Sequence, residues 1–410
     1  MNSNSIIRKI LIVNLHSAQN LGDLAILEQT TKLLSWKHPE SRFVLMATYP
    51  TSWENRTEHE CVSSLSKILK ADNLFGLCIP VFLKVVAKVL INKSLTLRQE
   101  RNNEIDHFIK TITDSDIVYS AGGGNFYTNS RLGIDFIINC LTLIIAGKLG
   151  KPIIMLPQSF GPVQTQWQKK LLKMTITNVD TVYARENLSY DFLIGIGVSK
   201  NKIKLLPDLA LSIDNNIVKT INSESRMIGL SIIDRRAQDK KFTRQHDYEE
   251  EIIRFIKEMC KKENTHVVLI VQCDGPTKDQ NDLIISERIL ARLGFKDDRV
   301  KLANNIRNTS EFLQTLNKLD LVISTRMHTA IIGLINRVPT LLIGYQPKAA
   351  GLYHLLDLDE YYVSINDVTS EFLLKQSNKL LNNHVSYIIK VENCLSRISG
   401  EIKEEIINLK

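Results

Sequence analysis

Short apolar runs of strand length alternate with longer, helix-patterned segments along almost the whole chain. KILIVN is followed by LAILEQTTKLLSW, then come RFVLMAT, DIVYS, KPIIML and TVYA, with amphipathic or buried helical stretches between most of them. The second half repeats the rhythm: RMIGLSII, HVVLIVQ, LDLVIS and TLLIG are separated by YEEEIIRFIKEMCKK, DLIISERILARL and MHTAIIGLI. Strands joined through helices run parallel, so the order predicts the α/β class, with helices on the sheet faces. A length of 410 residues exceeds one ordinary core and predicts two such domains. The polar segment DNNIVKTINSES, residues 214–225, has no apolar run and marks the boundary. It gives a first domain at 1–213, a second at 226–367 and a helical segment at 368–410, long enough to return across both.

Composition narrows the partners. A formal charge of +8 suits anionic substrates or an anionic membrane surface. Nucleic acid is disfavoured, because the chain has no Lys/Arg block and only 7% aromatics. The six cysteines are scattered without a CxxC pair, which predicts no metal site and a reducing compartment. The N-terminus carries no small-residue cleavage pattern and reads as a first strand, not a signal peptide. FIINCLTLIIAG is too short to span a bilayer and reads as a buried helix. A cytoplasmic protein is expected. PVFLKVVAKVLINK, residues 80–93, has lysines beside helically spaced apolar residues; an ordinary packing helix is the favoured reading, with peripheral contact at the inner membrane face as the minor one.

Polar groups recur where the strands end. Asn20 and Asp23 precede or open the first helix, where Asp23 serves equally well as a cap or as a ligand contact. The strand Ile117–Ser120 runs into Gly122-Gly123-Gly124-Asn125, and glycines there let backbone N–H groups approach a ligand without a Cβ in the way. The pattern is neither GxGxxG nor a P-loop, so no dinucleotide or nucleotide cofactor is indicated. Ile153–Leu156 is expected to end in a loop carrying Gln158 and Ser159, suited to a substrate hydroxyl or phosphate oxygen, although turn chemistry explains part of that loop. Arg185 follows the next strand, where local pairing with Glu186 or Asp191 competes with the favoured reading of an anion site.

The strongest concentration of charge lies at Ser324–Leu352. Arg326 and His328 sit where LDLVIS ends and MHTAIIGLI begins, and Lys348 follows TLLIG in GYQPKAAG. In an open parallel sheet, ligands bind beyond the carboxyl ends of the strands. Two fixed cations and one imidazole there predict a small anionic ligand. Arginine's planar fork suits carboxylate or phosphate. Imidazole, the side chain that titrates near neutrality, suits acid/base work.

In order, NLGDLAI, GGGNF, PQSFGP, ARENLSYDFL, PDLAL, RMHTAI and GYQPKAAGL resemble the polysaccharide pyruvyltransferase family, over roughly residues 8 to 352. The resemblance implies two Rossmann-like domains with parallel sheets facing a cleft, the GT-B-like arrangement. It also implies transfer of pyruvate from phosphoenolpyruvate to two hydroxyls of a sugar or lipid-linked glycan, as a cyclic ketal with release of phosphate. Arg326 and His328 take the catalytic positions and Lys348 binds substrate. Asp23, Gly123, Gly124, Asn125, Gln158, Ser159 and Arg185 are candidates for acceptor or phosphate contacts, and phosphoenolpyruvate is a donor substrate with no cofactor beside it. The first loop, His16-Ser17-Ala18-Gln19, has less glycine than the family pattern, and Asn125 stands where a further glycine is common. Both departures fall on the side implied to hold the acceptor. Two other readings stay open: a nucleotide-sugar glycosyltransferase, and a non-catalytic subunit of a polysaccharide assembly complex. The acceptor sugar and the oligomeric state are not legible.

Overall fold

A computed structural model describes residues 7–70, 99–215, 225–294 and 299–409. Residues 80–93, read above as a packing or membrane-surface helix, lie outside them. The contacts divide the chain into two units: Met1–Ala18, Thr30–Asp208 and Glu405–Lys410 form the first, and Gln19–Gln29 with Leu209–Glu404 the second. This division is finer than the boundaries read from sequence. It falls just before the polar segment, gives the start of the first helix to the second unit, and counts the last residues with the first.

The strands of the first unit are β1 (Lys9–Leu15), β2 (Arg42–Ala47), β3 (Glu60–Ser63), β4 (Ile117–Ser120), β5 (Gly123–Phe126), β6 (Ile153–Phe160), β7 (Thr181–Ala184) and β8 (Ile203–Leu205). They form an eight-stranded sheet in the order β3-β2-β1-β4-β6-β7-β8, with β5 beside β6, and every pairing is parallel. β4 and β6 are buried along their whole length, as a sheet covered on both faces requires. The helix Ile134–Lys148 contributes Phe136, Ile138, Cys140 and Leu143 to this core, which accounts for its apolar sequence without a membrane.

The second unit contains β9 (Arg226–Ser231), β10 (Thr265–Ile270), β11 (Val300–Ala303), β12 (Leu321–Ser324), β13 (Thr340–Gly344) and β14 (Tyr362–Ser364). Its parallel sheet has the order β11-β10-β9-β12-β13-β14. The chain moves outward from β9 to β11, then returns to the other side of β9 and moves outward again. β9 and β12 therefore flank the topological switch point, where the loops beyond the strand ends diverge and leave a crevice. The first unit has the same reversal between β1 and β4. Two parallel-sheet α/β units of this kind are the GT-B-like class.

Two local expectations are corrected. Gln158 and Ser159 lie inside β6, not in a loop after it, because β6 continues through Pro157 to Phe160. The irregular register between Met155 and Gln158 against β7 falls where the proline lacks its N–H. Gly123, Gly124 and Asn125 are likewise strand, not loop: they form β5 with Phe126, and Gly123 pairs opposite Gln158. Gly123 has φ 124° with open space around its missing Cβ, so the backbone conformation is what favours glycine here.

Candidate functional site

In the second unit the chain leaves β12 through Thr325 and Arg326 and turns into the helix Met327–Ile335, with Arg326 at the cap position in extended backbone. Ser324 Oγ donates to the Arg326 carbonyl at 2.5 Å, which fixes the turn. The Arg326 side chain is buried and grips Asp282 with its fork. Nε lies 3.2 and 3.0 Å from the two carboxylate oxygens, and Nη2 lies 2.5 Å from Oδ1. Asp282 opens the helix Asp282–Leu293, which Asn281 caps through the N–H of Leu283, and it also accepts from the N–H of Cys273 at 3.1 Å. Burial opposes the charge on Arg326, but Asp282, Tyr345 and Cys273 outweigh it and hold the guanidinium above its ordinary pKa. Burial likewise drives the Asp282 carboxyl upward, against the pull of Arg326 and the N–H groups of Cys273 and Gln272. The two-point geometry identifies an ionised pair. It runs through Nε and Nη2, so Nη1 is the edge of the fork that Asp282 does not take.

His328 occupies the second position of the helix Met327–Ile335, buried and packed on the first turn of the helix Leu21–Lys37. A Cβ on Gly22 would overlap the imidazole, 2.5 Å from Cγ and 2.8 Å from Cβ of His328. Gln272, just beyond β10, ties these two helix starts together. Its Oε1 accepts from the N–H of Thr329 at 2.8 Å and from Thr329 Oγ1 at 3.0 Å, and its Nε2 donates to Asn20 Oδ1 at 3.0 Å. Its carbonyl accepts from the N–H of Leu21 at 3.0 Å. Asn20 Oδ1 also accepts from the N–H of Gly22 at 3.0 Å. Of the two capping candidates read from sequence, Asn20 makes this bond, while Asp23 sits half-buried in the first turn, close enough to help raise the Cys273 thiol. That thiol is pushed up to about 12, chiefly by burial, and stays protonated beside Arg326.

Lys348 follows β13 in the first turn of the helix Pro347–Leu355, half-buried. Tyr345 lies between β13 and that helix, and the Arg235 guanidinium stacks over its ring, 5.1 Å from the centroid. Arg326, His328, Lys348 and Arg235 thus follow the carboxyl ends of β9, β12 and β13, the middle of the sheet. Gln272→Leu should cost about 1–3 kcal/mol in urea unfolding, because it strands the buried Thr329 N–H.

The first unit holds a separate polar cluster at its strand ends. Arg185 Nη1 lies 2.6 Å from Asp208, its Nε donates to Ser159 Oγ at 2.8 Å, and Ser159 donates to Glu186 at 3.0 Å. Arg185 is therefore engaged by Asp208 and Glu186, with Nη2 buried and without a hydrogen-bond partner among the described residues. Gln158 and Asn14 both donate to Ser120 Oγ, at 3.3 and 3.1 Å, and Gln158 Oε1 is a second buried atom lacking such a partner. The carbonyl of Asn125 accepts from Asn139 at 3.2 Å. Asp208, Asp282, Gln272, Gly22 and Arg235 were not marked from the sequence. Asp208 in PDLAL and Gly22 in NLGDLAI lie in motifs of the sequence that carried no role for them.

Solved structures share this fold at low identity. The structure titled Anabaena Alr3699/HepE in complex with UDP and glucose has a TM-score of 0.59 at 13% identity, covering 98% of this chain and 97% of that one. A putative UDP-N-acetylglucosamine 2-epimerase from Listeria monocytogenes has a TM-score of 0.56 at 14% identity, covering 99% and 98%. By sequence, the chain is 22% identical over 390 residues to the amylovoran biosynthesis protein AmsJ of Erwinia amylovora, covering 92% of each. The pattern of the polysaccharide pyruvyl transferase family matches residues 20–347, a span that takes in Asn20, Gly22, Arg185, Gln272, Asp282, Arg326 and His328. The chain belongs to the polysaccharide pyruvyl transferase family.

Proposed function

We propose that this protein transfers the pyruvyl group of phosphoenolpyruvate to two hydroxyls of a sugar or lipid-linked glycan precursor, forming a cyclic ketal in polysaccharide biosynthesis. The observation that carries the reading is the placement of Arg326 and His328 at the switch point of the second sheet. There a buried fork, fixed by Asp282, stands two residues from a buried imidazole. Phosphoenolpyruvate brings a carboxylate and a phosphate on one small skeleton, and Nη1 of Arg326 together with Lys348 supplies cations for them. A proton is delivered to the methylene carbon, and the C2 centre takes up the first sugar hydroxyl. The second hydroxyl then displaces phosphate and closes the ketal. Each hydroxyl loses a proton; one equivalent balances the methyl group formed and the other leaves with phosphate. His328 is the group proposed to move these protons. Arg185, Gln158, Ser159, Asp23 and the β5 residues Gly123, Gly124 and Asn125 are proposed to contact acceptor or phosphate.

Incubating the protein with phosphoenolpyruvate and a panel of nucleotide- and lipid-linked sugars is expected to release phosphate and add a pyruvyl mass to one acceptor. No release with any of them counts against the reading. The GT-B-like fold also holds nucleotide and sugar ligands, as the solved structure in complex with UDP and glucose illustrates, and fold alone does not choose between reactions. Thermal stabilisation by phosphoenolpyruvate but not by UDP is the expected outcome, and the reverse would favour a glycosyltransferase.

A further inference from the structure

The helix Gln166–Thr177 buries Gln168, Leu172, Thr175 and Ile176 against the first unit and turns its other face outward. That outer face carries Trp167 and Met174, 43% and 50% exposed, with Lys170 and Lys173 between them at helical spacing. The loop before the helix Ile134–Lys148 is tied to the same place. Gln168 Nε2 donates to the carbonyls of Ser130 and Arg131, at 2.9 and 3.1 Å, which brings Arg131 and Leu132, 63% exposed, beside the first turn. Large apolar side chains and cations are thus interleaved on one outward surface, in a stretch whose folding does not need them exposed.

The charge here has one sign. From Tyr127 to Thr177 the only acidic residue is Asp135, which takes a hydrogen bond from Ser66. Among the described residues no carboxylate pairs with Arg131, Lys170 or Lys173. A second copy of the same face would bring like charges together, which opposes self-association through it. An anionic bilayer surface meets both halves of the pattern: headgroups meet the lysines and arginine, while Trp, Met and Leu enter the boundary below them. No helix among the described residues is long and apolar enough to cross a membrane.

We propose that Arg131, Leu132, Trp167, Lys170, Lys173 and Met174 form a peripheral docking surface for anionic lipid bilayers. The surface adjoins the carboxyl end of β6, from which the chain runs directly into the helix that carries it. Docking so placed holds that strand end towards the lipid. The inference is independent of pyruvyl transfer, because its test reads no turnover.

The test is sedimentation of the full-length chain with vesicles of phosphatidylcholine alone or mixed with phosphatidylglycerol. In the Trp36→Phe background a change of emission on binding reports Trp167, because Trp53 is buried and contributes a constant signal. Binding is expected only to the phosphatidylglycerol vesicles, weakening as salt rises, with a blue shift of Trp167 emission. The double variant Lys170→Glu, Lys173→Glu should keep its unfolding curve and lose about tenfold or more in affinity. Equal binding to both vesicle types, no binding to either, or unchanged binding by the double variant would overturn the proposal. So would a concentration-dependent dimer that Trp167→Ala abolishes, since that would assign the face to a second copy.

Discussion

Asp282→Ala is expected to cost about 3–5 kcal/mol of stability, enough to leave much of the second unit unfolded near physiological temperature. Arg326 keeps its charge under any accessible condition and is only 8% exposed. Without Asp282 it has to drag water inward or move its fork outward, and either breaks the turn between β12 and the helix Met327–Ile335. Asp282 also accepts the N–H of Cys273, so its loss strands a buried donor as well. Asp282→Ala with Arg326→Met removes the charge together with its partner and should recover most of the lost stability, because a buried pair replaced on both sides is close to neutral. Urea unfolding followed by circular dichroism measures both. A single-variant loss below about 1 kcal/mol would show that the pair is not holding the turn.

Much of this fold was legible because its signals are local. Apolar runs such as LDLVIS and TLLIG became the buried strands β12 and β13, and the residues following them, Arg326, His328 and Lys348, fell at strand ends without any knowledge of the partners. What was not legible depends on contacts between distant segments. Asp282 precedes Arg326 by 44 positions, at the start of a helix whose sequence reads as ordinary amphipathic surface. Gln272 follows an apolar run like any other polar residue, and its importance appears only when Asn20 and Thr329 arrive from opposite ends of the chain. The assignment of Gln19–Gln29 to the second unit cannot be read from a continuous helical pattern, because Leu21–Lys37 is one helix with no break in its sequence to mark the change. Pro157 misled in the other direction: the rule that proline ends a strand is a tendency, and β6 passes through it at an irregular register.

His328→Ala is expected to lower kcat for phosphate release by about 10²–10⁴-fold if the imidazole moves the protons of ketal formation. The fold should survive, since the ring is replaced by a smaller group at a good helix position. Loss of turnover alone would not separate chemistry from packing, and Gly22 supplies the separation. Alanine is the better helix former by about 1 kcal/mol, so on propensity alone Gly22→Ala should hold or raise stability. Its Cβ, however, falls within 2.5 Å of His328 Cγ, so the ring has to leave its seat on the first turn of the helix Leu21–Lys37. A displacement of that size is expected to lower kcat by about 100-fold with a smaller change in the KM for phosphoenolpyruvate. In the double variant Gly22→Ala, His328→Gly the clash is gone, because neither ring nor Cβ is left at position 328. Turnover should then match His328→Gly alone, because Gly22 acts only through the ring. If the two losses add in full, Gly22 has a role of its own. If phosphate release is unchanged in His328→Ala, the imidazole is not the proton carrier, and the seat built around it by Gly22, Asn20 and Gln272 serves packing alone.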